Sequence, residues 1–169
     1  EPKNLVDFIS KTMEDTYEIY IREGEDKIQE FNFENDLCKI KDEIIVQAGF
    51  TKFESKKMKI FDFIPYEEMN KLIDKCDLVI THGGTGSIIM PLKKNKKVIA
   101  CPRLSKYLEH VDDHQLQITE IFSEEGYILL FNDSDNLDKL IAKAKNFNPK
   151  KYISNTDNFI KNLKKEIDR

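Results

Sequence analysis

The sequence predicts an α/β fold, a mostly parallel sheet with helices on both faces. Short runs of consecutive apolar residues, such as Leu78–Ile80 and Val98–Cys101, alternate with stretches whose apolar residues recur every three or four positions. Uninterrupted apolar strands are those buried on both faces, as in parallel sheets. Gly49, Pro65, Pro102 and Gly126 stand at the ends of these stretches, where turns and helix termini want them. No repeat, low-complexity tract or Gly/Ser/Pro linker divides the 169 residues, so they read as one domain, 1–169.

Leu5, Phe8, Ile9 and Met13 have helical spacing and predict a helix over about 3–14, before a first strand at Tyr17–Ile21. A helical pattern returns from Phe31 to Ile40, and Ile44–Gln47 follows as a short buried strand ending at Gly49. Lys59–Ile64 is extended and stops at Pro65; Met69, Leu72, Ile73 and Cys76 then fall on one helical face. Leu78–Thr81 is a strand, 87–94 a helix, Lys97–Cys101 a strand and 112–124 a helix capped by Gly126. Tyr127–Phe131 is the last strand, and Asn136–Lys145 and Thr156–Ile167 are amphipathic helices. The last of these carries Phe159, Ile160, Leu163 and Ile167 on one side and cations around them. That stripe fits packing on its own domain, on a partner or on anionic lipid.

A formal charge of −4 and a pI near 5.5 speak against a nucleic-acid coat, and no nucleic-acid partner is expected. The average conceals a gradient: residues 1–45 carry 6 basic and 13 acidic side chains, whereas 139–169 carry 9 and 3. Apolar runs such as Tyr127–Phe131 are far shorter than the roughly 18 residues of a spanning helix. No signal-peptide pattern opens the sequence, so a chain that does not itself cross a membrane is expected. Cys38, Cys76 and Cys101 are odd in number and set among apolar residues, which favours buried thiols of a reducing compartment over a disulfide or zinc site.

Six glycines and three histidines occur in the whole chain, yet Gly83, Gly84, Gly86 and all three histidines (His82, His110, His114) lie between residues 82 and 114. Leu78 to Ser87 reads as a strand running through a Gly-rich turn into a helix. Glycines there permit positive φ and close approach of a ligand, and the N–H groups of the first helical turn face an anion. Thr85 and Ser87 add hydroxyl donors. The competing reading is a tight strand-to-helix turn with Thr85 as its cap. Neither a G-x-G-x-x-G fingerprint nor a Walker A loop is present.

The second cluster, Pro102 to Gln115, follows a strand and leads into a helix, so its loop faces the same crevice. His110 and His114, with Asp112 and Asp113 between them, raise the question of a metal. The zincin arrangement needs His-Glu-x-x-His and a third ligand, and no metal is expected. Asp112 or Asp113 serves equally well as a helix N-cap, with His110 on the surface.

At these two clusters the sequence resembles the C-terminal, donor-binding half of the GT-B glycosyltransferases of family 28. More closely, it resembles the small catalytic subunits of two-subunit UDP-sugar transferases: the dolichol-linked UDP-GlcNAc transferases and their bacterial capsule and exopolysaccharide counterparts. The resemblance runs from about Ile44 to Ile160 through Val46-Gln-Ala-Gly49, Tyr66-Glu-Glu-Met69, Ile80 to Ser87, Lys97-Val-Ile-Ala100, Pro102-Arg103 and Glu109 to Gln115. It implies a Rossmann-like single GT-B half. The donor site would comprise His82, Gly83, Gly84, Thr85, Gly86, Ser87, Arg103, Glu109, His114 and Gln115, with the UDP-sugar as substrate and no cofactor. His82 is a candidate catalytic base or, more in keeping with two-domain relatives, a donor contact.

The implied reaction is metal-independent, inverting transfer to a lipid-diphosphate sugar acceptor, with a membrane-anchored, acceptor-binding partner subunit, at the cytoplasmic face of a membrane. Three features depart from the pattern, one of them the additional helix, about 3–14, expected before the first strand. The family opens with a strand and a phosphate-facing Val-Gly-Thr; here the matching place reads Ile19 to Asp26, with Gly24 amid acidic residues that would repel a diphosphate. Relatives often place a ribose-binding carboxylate beyond the Gly-rich turn, where this chain has Met90 and then Pro91, which is expected to kink the helix or delay its start. Two other classes therefore compete: a scaffold paralogue that keeps the fold and binds only the partner, and a different Rossmann-like sugar-phosphate enzyme such as an epimerase.

Overall fold

A computed structural model describes residues 18–22, 43–49, 55–56, 58–107, 111–132 and 135–167. The helices expected over 3–14 and 31–40, together with Gly24, Cys38, Glu109 and His110, lie outside the described residues. In chain order the elements are β1 (Glu18–Arg22), β2 (Glu43–Gln47), β3 (Met58–Phe61), α1 (Tyr66–Lys75), β4 (Leu78–His82), α2 (Thr85–Lys93), β5 (Lys97–Cys101), a 3₁₀ turn (Ser105–Tyr107), α3 (His114–Glu124), β6 (Leu129–Leu130), α4 (Leu137–Asn146) and α5 (Thr156–Ile167).

The six strands form one sheet in the order β3-β2-β1-β4-β5-β6, the strand order of a Rossmann-like fold. Five strands run parallel, as expected, but β1 is antiparallel to both of its neighbours. Arg22 pairs with Glu43 at the start of β2, and Ile21 with Leu78 at the start of β4. The chain therefore leaves β1 at the end of the sheet away from His82.

Apolar side chains on alternate residues fill both faces. Ile44, Val46, Met58, Leu78, Ile80, Ile99 and Cys101 share one core with Leu137, Ile141 and Ala144 of α4. On the opposite face Val79 packs with Met69 and Ile73 of α1 and with Cys76 just after it, and Val98 and Ala100 pack with Ile88 and Leu92 of α2. The apolar face predicted for α1 is thus the buried one. Its acidic Glu67 and Glu68 stand in the first turn and Lys75 in the last, the arrangement a helix dipole favours.

Four boundaries differ from expectation, the first being β3, which ends at Phe61 rather than at Ile64. Helix α2 begins at Thr85, and the buried Pro91 lies inside it, so the proline does not delay its start. Strand β6 is confined to Leu129–Leu130 because Tyr127 belongs to the closure of α3. The Tyr127 N–H bonds to Phe122 O and the Gly126 N–H to Ser123 O, both at 2.9 Å, with Gly126 at φ +78°. This is the paired helix-terminal bonding that a left-handed glycine makes possible. Finally, α3 starts at His114 rather than 112. Helix α4 matches the pattern, with the Asn136 side chain accepting from Lys139 N–H.

The linker before α5 is fastened to the end of α3. The Lys150 N–H donates to Gly126 O at 2.9 Å, and Lys150 Nζ lies 2.7 Å from Glu125 Oε2 and 4.9 Å from the centre of the Tyr127 ring. Tyr127 in turn meets Phe122 and Tyr152 edge to face. Beyond this anchor, no residue of α5 is buried; Phe159 is 63% exposed, Leu163 48% and Ile167 73%. Among the described residues, none covers the stripe enough to bury it. No described helix is long and apolar enough to cross a membrane.

Candidate functional site

Strand β4 delivers His82, Gly83 and Gly84 directly into α2. None of Gly83, Gly84 and Gly86 has a positive φ, contrary to one of the two reasons the sequence suggests for them. At two of the three the reason is close approach of the chain's own side chains, not the expected approach of a ligand. A Cβ on Gly83 would stand 2.8 Å from Gln115 Cβ and 3.1 Å from both Gln115 O and Thr119 Cγ2; one on Gly84 would collide with the His82 imidazole. Gly86 faces open space.

Gly84, not Thr85, occupies the N-cap position of α2, and no side chain caps that end. The first helical bond runs from Ile88 N–H to Gly84 O at 3.1 Å. The N–H groups of Thr85, Gly86 and Ser87 therefore precede the helical ladder, and the positive end of α2 is open to an anion. Thr85 and Gly86 are exposed and Ser87 is half-buried.

The second cluster closes on the first, as expected. Gln115 is buried against Gly83, and its Oε1 accepts from the Arg103 N–H at 3.1 Å. Thr119, one turn further along α3, is fully buried and donates its hydroxyl to Gln115 O at 2.9 Å. Sequence reasoning missed Thr119, although its four-residue spacing from Gln115 puts both on one helix face. Asp113 and Ser105 were likewise missed as a pair: Asp113 Oδ1 accepts from Ser105 N–H at 2.8 Å and from Ser105 Oγ at 2.9 Å. Asp112 Oδ1 accepts from the His114 N–H at 3.0 Å, and His114 itself is exposed at the first residue of α3. The carboxylates that a histidine-based metal site would recruit are thus engaged with neighbouring backbone.

Burial, reinforced by the nearby Arg103 cation, pushes the His82 imidazole down to about 4. It is neutral at physiological pH. Among the described residues, its Nδ1 and the Thr81 Oγ1 are buried polar atoms without a hydrogen-bond partner. A base with so low a pKa removes a hydroxyl proton poorly, whereas a neutral imidazole still donates or accepts a hydrogen bond. Cys76 and Cys101 are free, buried thiols pushed up by burial to about 11 and 12, which makes them inert. A groove of about 440 Å³ between α1 and the β2–β3 edge, lined by Ile45, Phe61 and Leu72 among others, contains none of the crevice residues.

Comparison with known proteins gives the family. Residues 14–169 match the glycosyltransferase family 28 C-terminal domain. The chain belongs to that family. A relative of this family 28 domain, the UDP-N-acetylglucosamine transferase subunit ALG13 of Candida albicans, is 28% identical over 158 residues, covering 94% of this chain and 46% of that protein. The Saccharomyces cerevisiae subunit of the same name is 42% identical over 73 residues, 43% of this chain and 34% of that protein. The chain thus spans less than half the length of either relative. A solution NMR structure of ALG13 is 30% identical with a TM-score of 0.42, covering 70% of this chain and 57% of that one.

The reversed β1 also bears on a departure seen in the sequence. A first phosphate-facing turn after β1 requires that strand to point toward the crevice, and it points away. The acidic residues that follow Arg22 lie outside the described residues.

Proposed function

We propose that the chain is the donor-binding subunit of a UDP-sugar transferase, with the nucleotide diphosphate seated on the uncapped start of α2. The observation that carries this reading is the convergence of the α2 N-terminus, Ser87, Arg103 and Gln115 on one crevice at the C-terminal ends of β4 and β5. Those groups provide backbone N–H, hydroxyl and guanidinium donors, the positive potential that a departing UDP requires. Family membership and the named activity of the ALG13 relatives support UDP-N-acetylglucosamine as the first donor to test.

In this reading His82 contacts the donor, and the base that deprotonates the acceptor comes from elsewhere. Inverting, metal-independent transfer to a lipid-diphosphate sugar, with a membrane-anchored partner supplying the acceptor site at the cytoplasmic face, completes the proposal. Calorimetric titration of the chain with UDP, with and without EDTA, tests it. Saturable binding that survives EDTA and is lost in Ser87→Ala and Gln115→Ala is the expected result. Absence of binding in the parent defeats it and favours the scaffold; unaltered binding in both variants defeats the placement of the site.

A further inference from the structure

The start of α3 departs from ordinary helix chemistry. An aspartate just before the first helical residue normally turns its carboxylate onto the second or third N–H of its own helix. Asp113 holds that position, with its backbone carbonyl accepting from Gln117 N–H, yet its side chain makes no capping bond. Its Oδ1 bridges the N–H and hydroxyl of Ser105 instead, at 2.8 and 2.9 Å. Two residues later Gln115 takes the Arg103 N–H at 3.1 Å.

Three hydrogen bonds thus run from the first turn of α3 to alternate residues of the segment that follows β5. The helix end is itself immobilised, because Gln115 and Thr119 pack against Gly83 with no room for even a methyl group. A local rule broken without evident gain to the helix is characteristic of a functional site. Arg103 is carried by this segment, next to His82, and an arginine on an unbraced turn would have to be ordered each time an anion binds.

We propose that Asp113 and Gln115 are positioning residues for Arg103, holding residues 103–105 on α3 so that the guanidinium is presented in advance to the diphosphate seat at the start of α2. The proposal rests on the donor-binding reading above. Asp113 touches no ligand in it; it acts through Ser105 and the backbone.

Asp113→Ala removes two of the three bonds, whereas Asp113→Asn keeps an acceptor oxygen at Oδ1. Three readouts on the full chain decide the matter: amide hydrogen exchange at Ser105, UDP affinity by calorimetry, and the His82 titration followed by NMR. In Asp113→Ala the Ser105 amide is expected to exchange at least about tenfold faster, UDP to bind about tenfold more weakly and the His82 pKa to rise from about 4 as Arg103 moves away. Asp113→Asn should restore all three. Ser105→Ala, which leaves the helix end untouched, should weaken UDP binding about threefold and serves if Asp113→Ala fails to fold. Parental UDP affinity in Asp113→Ala with an unprotected Ser105 amide overturns the proposal, as does Asp113→Asn behaving like Asp113→Ala. Should the parent not bind UDP, the donor-binding reading fails by itself. The brace then stands or falls on whether the His82 pKa moves in Asp113→Ala.

Discussion

Alanine at Gly86 adds a methyl group to the second residue of α2, at a place where nothing beyond its own turn of helix comes within 4 Å. The backbone there is not left-handed, so the substitution brings no strain and gains helix propensity of up to about 1 kcal/mol. With about 2–4 °C of Tm per kcal/mol in a chain of this size, Gly86→Ala should melt at or slightly above the parent. Gly83→Ala is the contrast. Its Cβ would press on Gln115 at 2.8 Å and on Thr119 at 3.1 Å, and overpacking of this kind costs about 1–3 kcal/mol, a fall of roughly 2–12 °C. Helical Cβ atoms tilt toward the helix N-terminus, so the Gly86 methyl would intrude on the diphosphate seat. A loss of UDP affinity of about tenfold or more, equivalent to about 1.4 kcal/mol, in a chain that melts like the parent would report the anion contact alone. Thermal unfolding and calorimetric titration of the same preparations measure both quantities. Parental UDP affinity at unchanged Tm in Gly86→Ala would refute the placement of the diphosphate on α2.

The remaining predictions concern stability. His82 titrates near 6.5 when unfolded and about 4 when folded, so the unfolded chain takes up the proton first as pH falls. The stability this group contributes is complete above about pH 6.5 and declines toward pH 4 by up to about 3 kcal/mol. Urea unfolding at pH 7 and 4.5 should show a larger loss in the parent than in His82→Asn, and equal losses would contradict the shift. Ile73 is fully buried under α1, and Ile73→Ala should cost about 2–5 kcal/mol in the same assay; a loss below about 1 kcal/mol would mean that α1 packs otherwise. Since no residue of α5 is buried, Phe159→Ser with Leu163→Ser should change stability by less than about 0.5 kcal/mol. A drop in Tm of several degrees would show that the stripe is covered after all.

Local pattern made much of this fold legible. Met69, Leu72, Ile73 and Cys76 marked the buried face of α1, and the crowding of glycine and histidine between 82 and 114 located the crevice. What escaped depends on distant parts of the chain. Strand direction has no local signature, so the reversal of β1 could not be read from five residues. Glycine serves both unusual φ and close approach, and only the packing of Gln115 and Thr119 on Gly83 shows which applies. Tyr127 has the makings of a strand residue but is claimed by the end of α3. The pairing of Asp113 with Ser105 spans eight residues across a turn, beyond the reach of capping rules. Amphipathicity announced α5, yet a pattern describes a face and not what lies against it.

The reversed strand has a consequence for how the sheet comes apart. Strands β2 and β3 form one parallel group and β4, β5 and β6 another, and β1 is the member hydrogen-bonded to both. Its five residues are therefore the seam of the sheet: Ile19 reaches Val46 on one side and Ile80 on the other. Each parallel group carries its own short-range connections, while the seam joins segments about 30 and 60 residues away in sequence, contacts of the kind that form late. Weakening β1 should divide the molecule into two separately protected blocks rather than soften it evenly, with the whole crevice of His82, Arg103 and Gln115 retained on the C-terminal block.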